Sequence, residues 1–251
     1  MKQNYTVKEI TKEQALEMVK KYHYSNTLPR LNKHFVGFFI DGELVGVVTL
    51  GWGTRPLDTI KGLFPSLTTK DYYEIGRMCM TDDMPHGSES QMLKALEKWI
   101  KQNCPEIKVL FTWADGMRGK PGYVYQASGF TYAGFIWTDS YFVNGMKIHP
   151  RQCKKFITNL ENDKRKFIRP TVEQMKKYGI EQYYGKQFRY IRFLCGKNEK
   201  NRLLKECKVD LTLPNPKDKD LEWKHRDLNT RKHVPSDMPL YTSEFNEEPL
   251  Q

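Results

Sequence analysis

Between residues 5 and 137 the chain switches repeatedly between period-two and helical patterning. That alternation confines it to an α/β fold, a mixed central sheet flanked by helices on both faces. Residues 5–10 read as a short strand, and Thr11 stands where it can cap a helix over residues 12–22, with Ala15, Leu16, Met18 and Val19 on its apolar side. Residues 34–40 and 44–50 are apolar runs split by Asp41-Gly42-Glu43, a strong hairpin signal because Asp-Gly accepts the positive φ of a tight turn. A loop rich in Gly, Pro and Thr spans residues 51–70. A strand over 73–80 then turns through 81–87 into an amphipathic helix that starts at Ser88 or Ser90, carries Met92, Leu93, Leu96, Trp99 and Ile100, and ends before Pro105. A buried strand at 108–114, a short helix near 122–127 and a strand at 131–137 complete this half.

The second half changes character. Between Lys147 and Lys208 there are 18 Lys or Arg against six Asp or Glu, a balance of +12, so the rest of the chain is about neutral within a net charge of +11. Basicity concentrated in this way suits a polyanionic partner. Residues 150–187 read as a basic, aromatic-rich helical insertion, flanked by strand candidates at 141–147 and 187–194. From Pro214 the pattern collapses into charged, Pro-rich sequence expected to be a mobile tail, which divides the chain into a domain over 1–213 and a tail over 214–251. Five scattered cysteines, none in a CxxC pair, fit a reduced cytoplasmic protein, and no apolar run reaches the roughly 18 residues that a membrane span needs. Trp52, Trp113 and Trp137 are expected to pack in the core.

Several polar residues stand at places where α/β sheets build sites. Asp115 closes an apolar strand and precedes Gly116, so it is either a site carboxylate at a strand end or a turn former. Arg77, in mid-strand, needs a partner, whether an anionic substrate group or a structural pair with Asp115 or Glu74. Tyr125 lies one turn into a short helix, as a proton donor or as a core tyrosine. His23 and Tyr24 follow a helix: His23 can cap it, Tyr24 can pack or stack on a base, and with Asp115 they could offer N and O ligands to iron. Ser88, Glu89 and Ser90 can cap the helix that they open, where free N–H groups also attract anions. GxSxG, HExxH, P-loop and zinc-deaminase patterns are absent, which removes the commonest hydrolytic and base-deaminating chemistries.

The order of elements over residues 1–137, with Gly129-Phe130 after the short helix, resembles the GNAT acyltransferase fold. The turn at 84–90 departs from the acyl-CoA-binding signature, since only Gly87 fits and Glu89 would repel a pyrophosphate. The departure resembles another family. His23-Tyr24-Ser25 with Leu28-Pro29, Gly76-Arg77, Ser88-Glu89-Ser90, Ala114-Asp115, Tyr125-Gln126-Ala127-Ser128, Arg189-Tyr190-Ile191 and Leu213-Pro214-Asn215-Pro216-Lys217 are similar to the Mom-like proteins of phage Mu and its relatives. That resemblance implies a GNAT-derived transferase adding a carbamoylmethyl group to adenine N6 in double-stranded DNA, protecting it from restriction. It implies functional roles for Tyr24, Arg77, Ser90, Asp115 and Tyr125. Asp115, assisted by Tyr24, would orient or deprotonate the amine, Tyr125 would act as acid or donor anchor, and Arg77 with Gly87, Ser88 and Ser90 would hold the donor. The expected donor is an acyl-CoA or a glycine-derived group, with iron at His23, Tyr24 and Asp115 as a further expectation. Lys154, Lys155, Lys164, Arg165, Lys166 and Arg169, interleaved with aromatic residues, are the expected DNA contacts. The competing readings are a conventional acyl-CoA-dependent N-acetyltransferase acting on protein, RNA or a small amine, and a non-catalytic nucleic-acid-binding domain.

Overall fold

The computed structural model describes residues 3–148 and 169–244. These divide into two compact units, the first from residues 3–114, 122–134 and 188–216, the second from 115–121, 135–148, 169–187 and 217–244.

In the first unit the sheet begins β1 (Thr6–Glu9), β2 (Asn32–Ile40), β3 (Glu43–Gly51), β4 (Tyr72–Met80), β5 (Val109–Asp115), in that spatial order. The C-terminal part of β8 (Glu181–Phe193) and the start of β6 (Thr131–Val143) continue it. Pairing is antiparallel from β1 to β4 and parallel between β4 and β5. This is the mixed α/β sheet that the alternating pattern predicts. The β2–β3 hairpin turns at Asp41 (φ 50°) and Gly42 (φ 88°), the left-handed pair that the Asp-Gly signal requires. Helix α1 (Lys12–Tyr22) starts at a reciprocal cap in which Thr11 Oγ accepts from Gln14 N at 3.2 Å and the Gln14 side chain accepts from Thr11 N at 3.0 Å. It buries Ala15, Met18 and Val19 against Val47 and Cys79.

The loop after β3 departs from the expected irregular stretch. Pro56 opens a short helix, α2 (Pro56–Lys61), where its fixed φ suits the first helical position. Ile60, Leu63, Phe64 and Leu67 then cover Tyr72, Val109 and Phe111 as one buried cluster. Periodicity was hidden by the surrounding Gly and Thr, and burial against the sheet is what orders the segment. Helix α3 (Ser88–Asn103) buries Met92, Leu93, Leu96 and Ile100, and α4 (Tyr123–Ala127) follows β5. A later helix, α6 (Lys197–Glu206), adds Leu203 to the α2 cluster.

The second unit corrects three expectations. β6 runs unbroken from Thr131 to Val143, so residues 131–137 and 141–143 form one strand, and β7 (Met146–Ile148) returns on it. The expected helical insertion is mixed where it is described: α5 (Val172–Tyr178) leads at once into β8, and residues 149–168 lie outside the described residues. The chain after Pro214 is not without pattern. β9 (Trp223–Arg226) pairs antiparallel with β8 and with β10 (His233–Ser236), and β11 (Ser243–Glu244) pairs parallel with β7. Charged strands escape a hydropathy-based reading because their stability comes from ladder hydrogen bonds and one half-covered face. Trp137, expected in the core, is 37% exposed. Among the described residues no helix is long and apolar enough to cross a membrane.

Candidate functional site

β4 and β5 pair from Tyr72–Val109 to Ile75–Thr112 and then part, while β4 continues to Met80. A local cause lies on the other edge of β4. Thr49 pairs with Arg77 and Leu50 with Ile75, so Gly76 is an extra residue, a bulge that bends the strand. Only glycine fits here, because a Cβ would stand 2.6 Å from Pro29 Cγ. The sequence thus opens a gap between two central parallel strands, at the carboxyl end where α/β sheets bind ligands.

Two titratable side chains flank the gap. Glu74 pairs in register with Phe111 and shares its face of the sheet. Its carboxylate lies against the backbone of Gly53, where a Cβ would fall 2.1 Å from Oε2. Burial pushes the Glu74 carboxyl up to about 7, and the nearby Arg77 charge only partly pulls it back. On the other face, by strand alternation, Thr112 meets Tyr125. The Thr112 hydroxyl lies 3.2 Å from the Tyr125 oxygen and 3.3 Å from the Ile75 carbonyl. When Thr112 donates to the phenol oxygen, the phenol proton is left to serve another acceptor. Tyr125 is buried against Phe130 and Tyr190. Burial raises its pKa, and the Glu74 charge raises it further, so the phenol stays protonated. A carboxyl that ionises near neutrality and a protonated phenol therefore stand on opposite faces of the sheet, beside the last paired positions of β4 and β5. Sequence reading named Tyr125 but weighed Glu74 only as a structural partner for Arg77. The signal that could have found it was an acid two residues before a Gly bulge in a buried strand.

Arg77 has a different surrounding from the one expected. Its Nε donates to the Thr27 carbonyl (2.9 Å), Nη2 to Ser25 Oγ (3.0 Å) and Nη1 to the Gly76 carbonyl (2.8 Å), while its backbone N donates to Thr49 Oγ1 (3.0 Å). The guanidinium thus fastens the 25–29 loop to the bulged strand. Arg77→Ala is expected to cost about 1–3 kcal/mol and to raise amide hydrogen exchange at residues 25–31 well above that of α1. In that loop His23 closes α1, its backbone N–H donating to the Val19 carbonyl, and His23 Nδ1 lies 2.9 Å from both Ser25 N and Ser25 O. The His23 and Tyr24 rings stack at 4.3 Å, with Tyr24 37% exposed.

Helix α3 begins without a side-chain cap. Gly87 holds the N-cap at φ 84°, and Ser88, fully buried, lets its carbonyl accept from the Tyr5 hydroxyl (3.2 Å). Ser90, half-buried, stands in the first turn, whose N–H groups lack a capping side chain. In the second unit, Asp115 Oδ1 accepts from Met117 N at 3.1 Å, starting the tight turn Gly116–Arg118. The turn-forming alternative for Asp115 therefore has a visible bond. Arg169 forms an ion pair with Asp139. Lys154, Lys155, Lys164, Arg165 and Lys166 lie outside the described residues. Among the described residues no group of three or more His, Cys, Asp or Glu side chains is arranged to hold a metal ion. The expected iron site at His23, Tyr24 and Asp115 thus gains no support, and no step below passes through one.

The chain belongs to the Mom protein family, whose model matches residues 4–210. It is similar to the methylcarbamoylase Mom of Escherichia phage Mu, with 28% identity over 203 residues, 81% of this chain and 80% of that protein. Among solved structures it is similar to an aminoglycoside acetyltransferase in complex with ribostamycin and coenzyme A, at 13% identity and a TM-score of 0.40 over 53% of this chain and 87% of that one. It is also similar to an aminoglycoside 6'-acetyltransferase of type Ii, at 10% identity and a TM-score of 0.43 over 76% and 99%.

Proposed function

We propose that this chain is a transferase that places a carbamoylmethyl group on the N6 amine of adenine in double-stranded DNA. The observation that carries the reading is the family match over residues 4–210. The chemistry of the β4–β5 gap suits it. An aromatic amine is a weak nucleophile, so attack needs a base near neutrality and an acid at the leaving atom. In this reading the Glu74 carboxylate takes a proton from N6 as its nitrogen bonds to the donor carbon. The Tyr125 phenol gives its proton to the group whose bond to that carbon breaks. Water restores both protons after release. Tyr24, exposed at the start of the 23–29 loop, offers a stacking surface for a base withdrawn from the duplex. Arg77 acts by holding that loop.

The donor, an acyl-CoA or a glycine-derived compound, would set its anionic part at the Gly87–Ser90 helix end, where backbone N–H groups and the helix dipole favour negative charge. Asp115 remains a candidate for orienting the amine. Nucleoside mass spectrometry on DNA from cells making the wild-type chain or the Tyr125→Phe variant tests the reading. A heavier deoxyadenosine is expected with wild type and at least about tenfold less with the variant. Unmodified adenine in cells with abundant folded wild-type protein would sink the reading.

A further inference from the structure

In the second unit, one face of the β6–β8–β9 sheet gathers rings and cations that the proposed chemistry does not use. Phe135 and Trp137 on β6 are 42% and 37% exposed, and their rings meet edge to face at 6.2 Å. Lys186 Nζ lies over both, 4.8 Å from the Phe135 centroid and 5.8 Å from that of Trp137, and Lys224 Nζ lies 4.0 Å from the Trp137 centroid. Lys224 pairs across strands with Tyr184, whose ring stands 4.1 Å from that of His233. Further along the same face Arg226 Nη1 donates to Gln182 Oε1 (3.1 Å), and Arg169 pairs with Asp139. Among the described residues of this face Glu222 lies 2.7 Å from Lys186 and Asp139 pairs with Arg169, so Lys224 and Arg226 are the cations in excess.

Resting on the proposed action on DNA, we infer that this face binds an unpaired DNA strand, with bases on Phe135 and Trp137 and phosphates on Lys224 and Arg226. Exposed rings on a sheet can be stacked only by bases that have left a duplex, because a paired base buries both its faces in its own stack. The excess of cations favours a polyanion over a second copy of the chain, which would set like charge against like.

The test is fluorescence anisotropy of a labelled twelve-residue oligothymidylate with the full-length protein, over a range of salt. Phe135→Ala combined with Trp137→Ala is expected to weaken binding about 10- to 100-fold, and Trp137→Phe to retain most of it. Lys224→Gln leaves the rings in place, guarding against a folding defect in the double variant. It is expected to make the slope of log K against log salt shallower by about 0.7, the value of one phosphate contact to a single strand. Equal affinity of the double variant and the wild type would overturn the inference and leave the transferase reading intact. Wild-type protein that modifies adenine yet does not bind the strand would do the same. A dimer dissolved by the ring substitutions, with strand affinity unchanged, would assign the face to self-association instead. Wild-type protein that neither binds DNA nor modifies adenine would overturn both.

Discussion

Glu74→Gln is expected to lower the transfer rate about 100-fold or more, the contribution typical of a positioned general base. Glutamine keeps the shape that packs against Gly53 but cannot take a proton. The wild-type rate should rise with pH as the carboxyl ionises near 7, whereas the residual rate of the variant should lose that step. Binding of DNA should change little, because the carboxyl is buried against Gly53 and not on a phosphate-binding surface. A variant with unchanged rate and unchanged pH profile would remove Glu74 from the chemistry and return the base to Asp115.

The same substitution has a consequence for stability. Burial lifts the carboxyl from its ordinary 4.5 to about 7 in the folded chain. Between those values the folded state holds a proton that the unfolded state has released, so stability falls as pH rises through this window. Glu74→Gln should abolish that slope and leave the protein more stable above pH 7, by on the order of 3 kcal/mol. Chemical denaturation at pH 5 and pH 8 measures it: wild type should lose stability between the two, and the variant should not. A stabilised and inactive protein is the combination expected of a desolvated group kept for function.

The second large effect is on folding. Gly122 holds φ at 96°, and a Cβ there would stand 2.5 Å from Tyr190 Cε2 and 2.9 Å from Ala114 Cβ. Tyr190 is fully buried and cannot swing aside without moving Gln126, whose amide donates to its hydroxyl at 2.9 Å. Gly122→Ala therefore combines backbone strain with overpacking, and is expected to cost about 2–4 kcal/mol and to lower Tm by about 5–10 °C. Because Gly122 starts α4, the shift should reach Tyr125, and the rate of the folded protein at low temperature should fall as well. Unchanged melting would mean that Tyr190 has room that these distances do not show.

The local steps of the fold were legible in the sequence. Thr11 and Gln14 announce their cap, Asp41-Gly42 its hairpin, and the spacing of Met92, Leu93, Leu96 and Ile100 its helix, because each depends on residues a few positions apart. Family-specific combinations such as Gly76-Arg77 and Ser88-Glu89-Ser90 pointed to the Mom proteins for the same reason: they are short and contiguous. Tertiary structure alone decided the rest. Glu74 becomes a near-neutral carboxyl only when the Gly76 bulge and the Gly53 backbone enclose it, and desolvation by residues distant in sequence leaves no local pattern. Arg77 reads either as an anion binder or as half of a structural pair, and only the fold shows two of its donors holding Thr27 and Ser25 of the 25–29 loop. The charged segment after Pro214 reads as a tail because hydropathy cannot see that β8 offers it an edge to pair with. Trp137 reads as core and is a surface ring, since a strand's alternation gives two faces without saying which of them is covered.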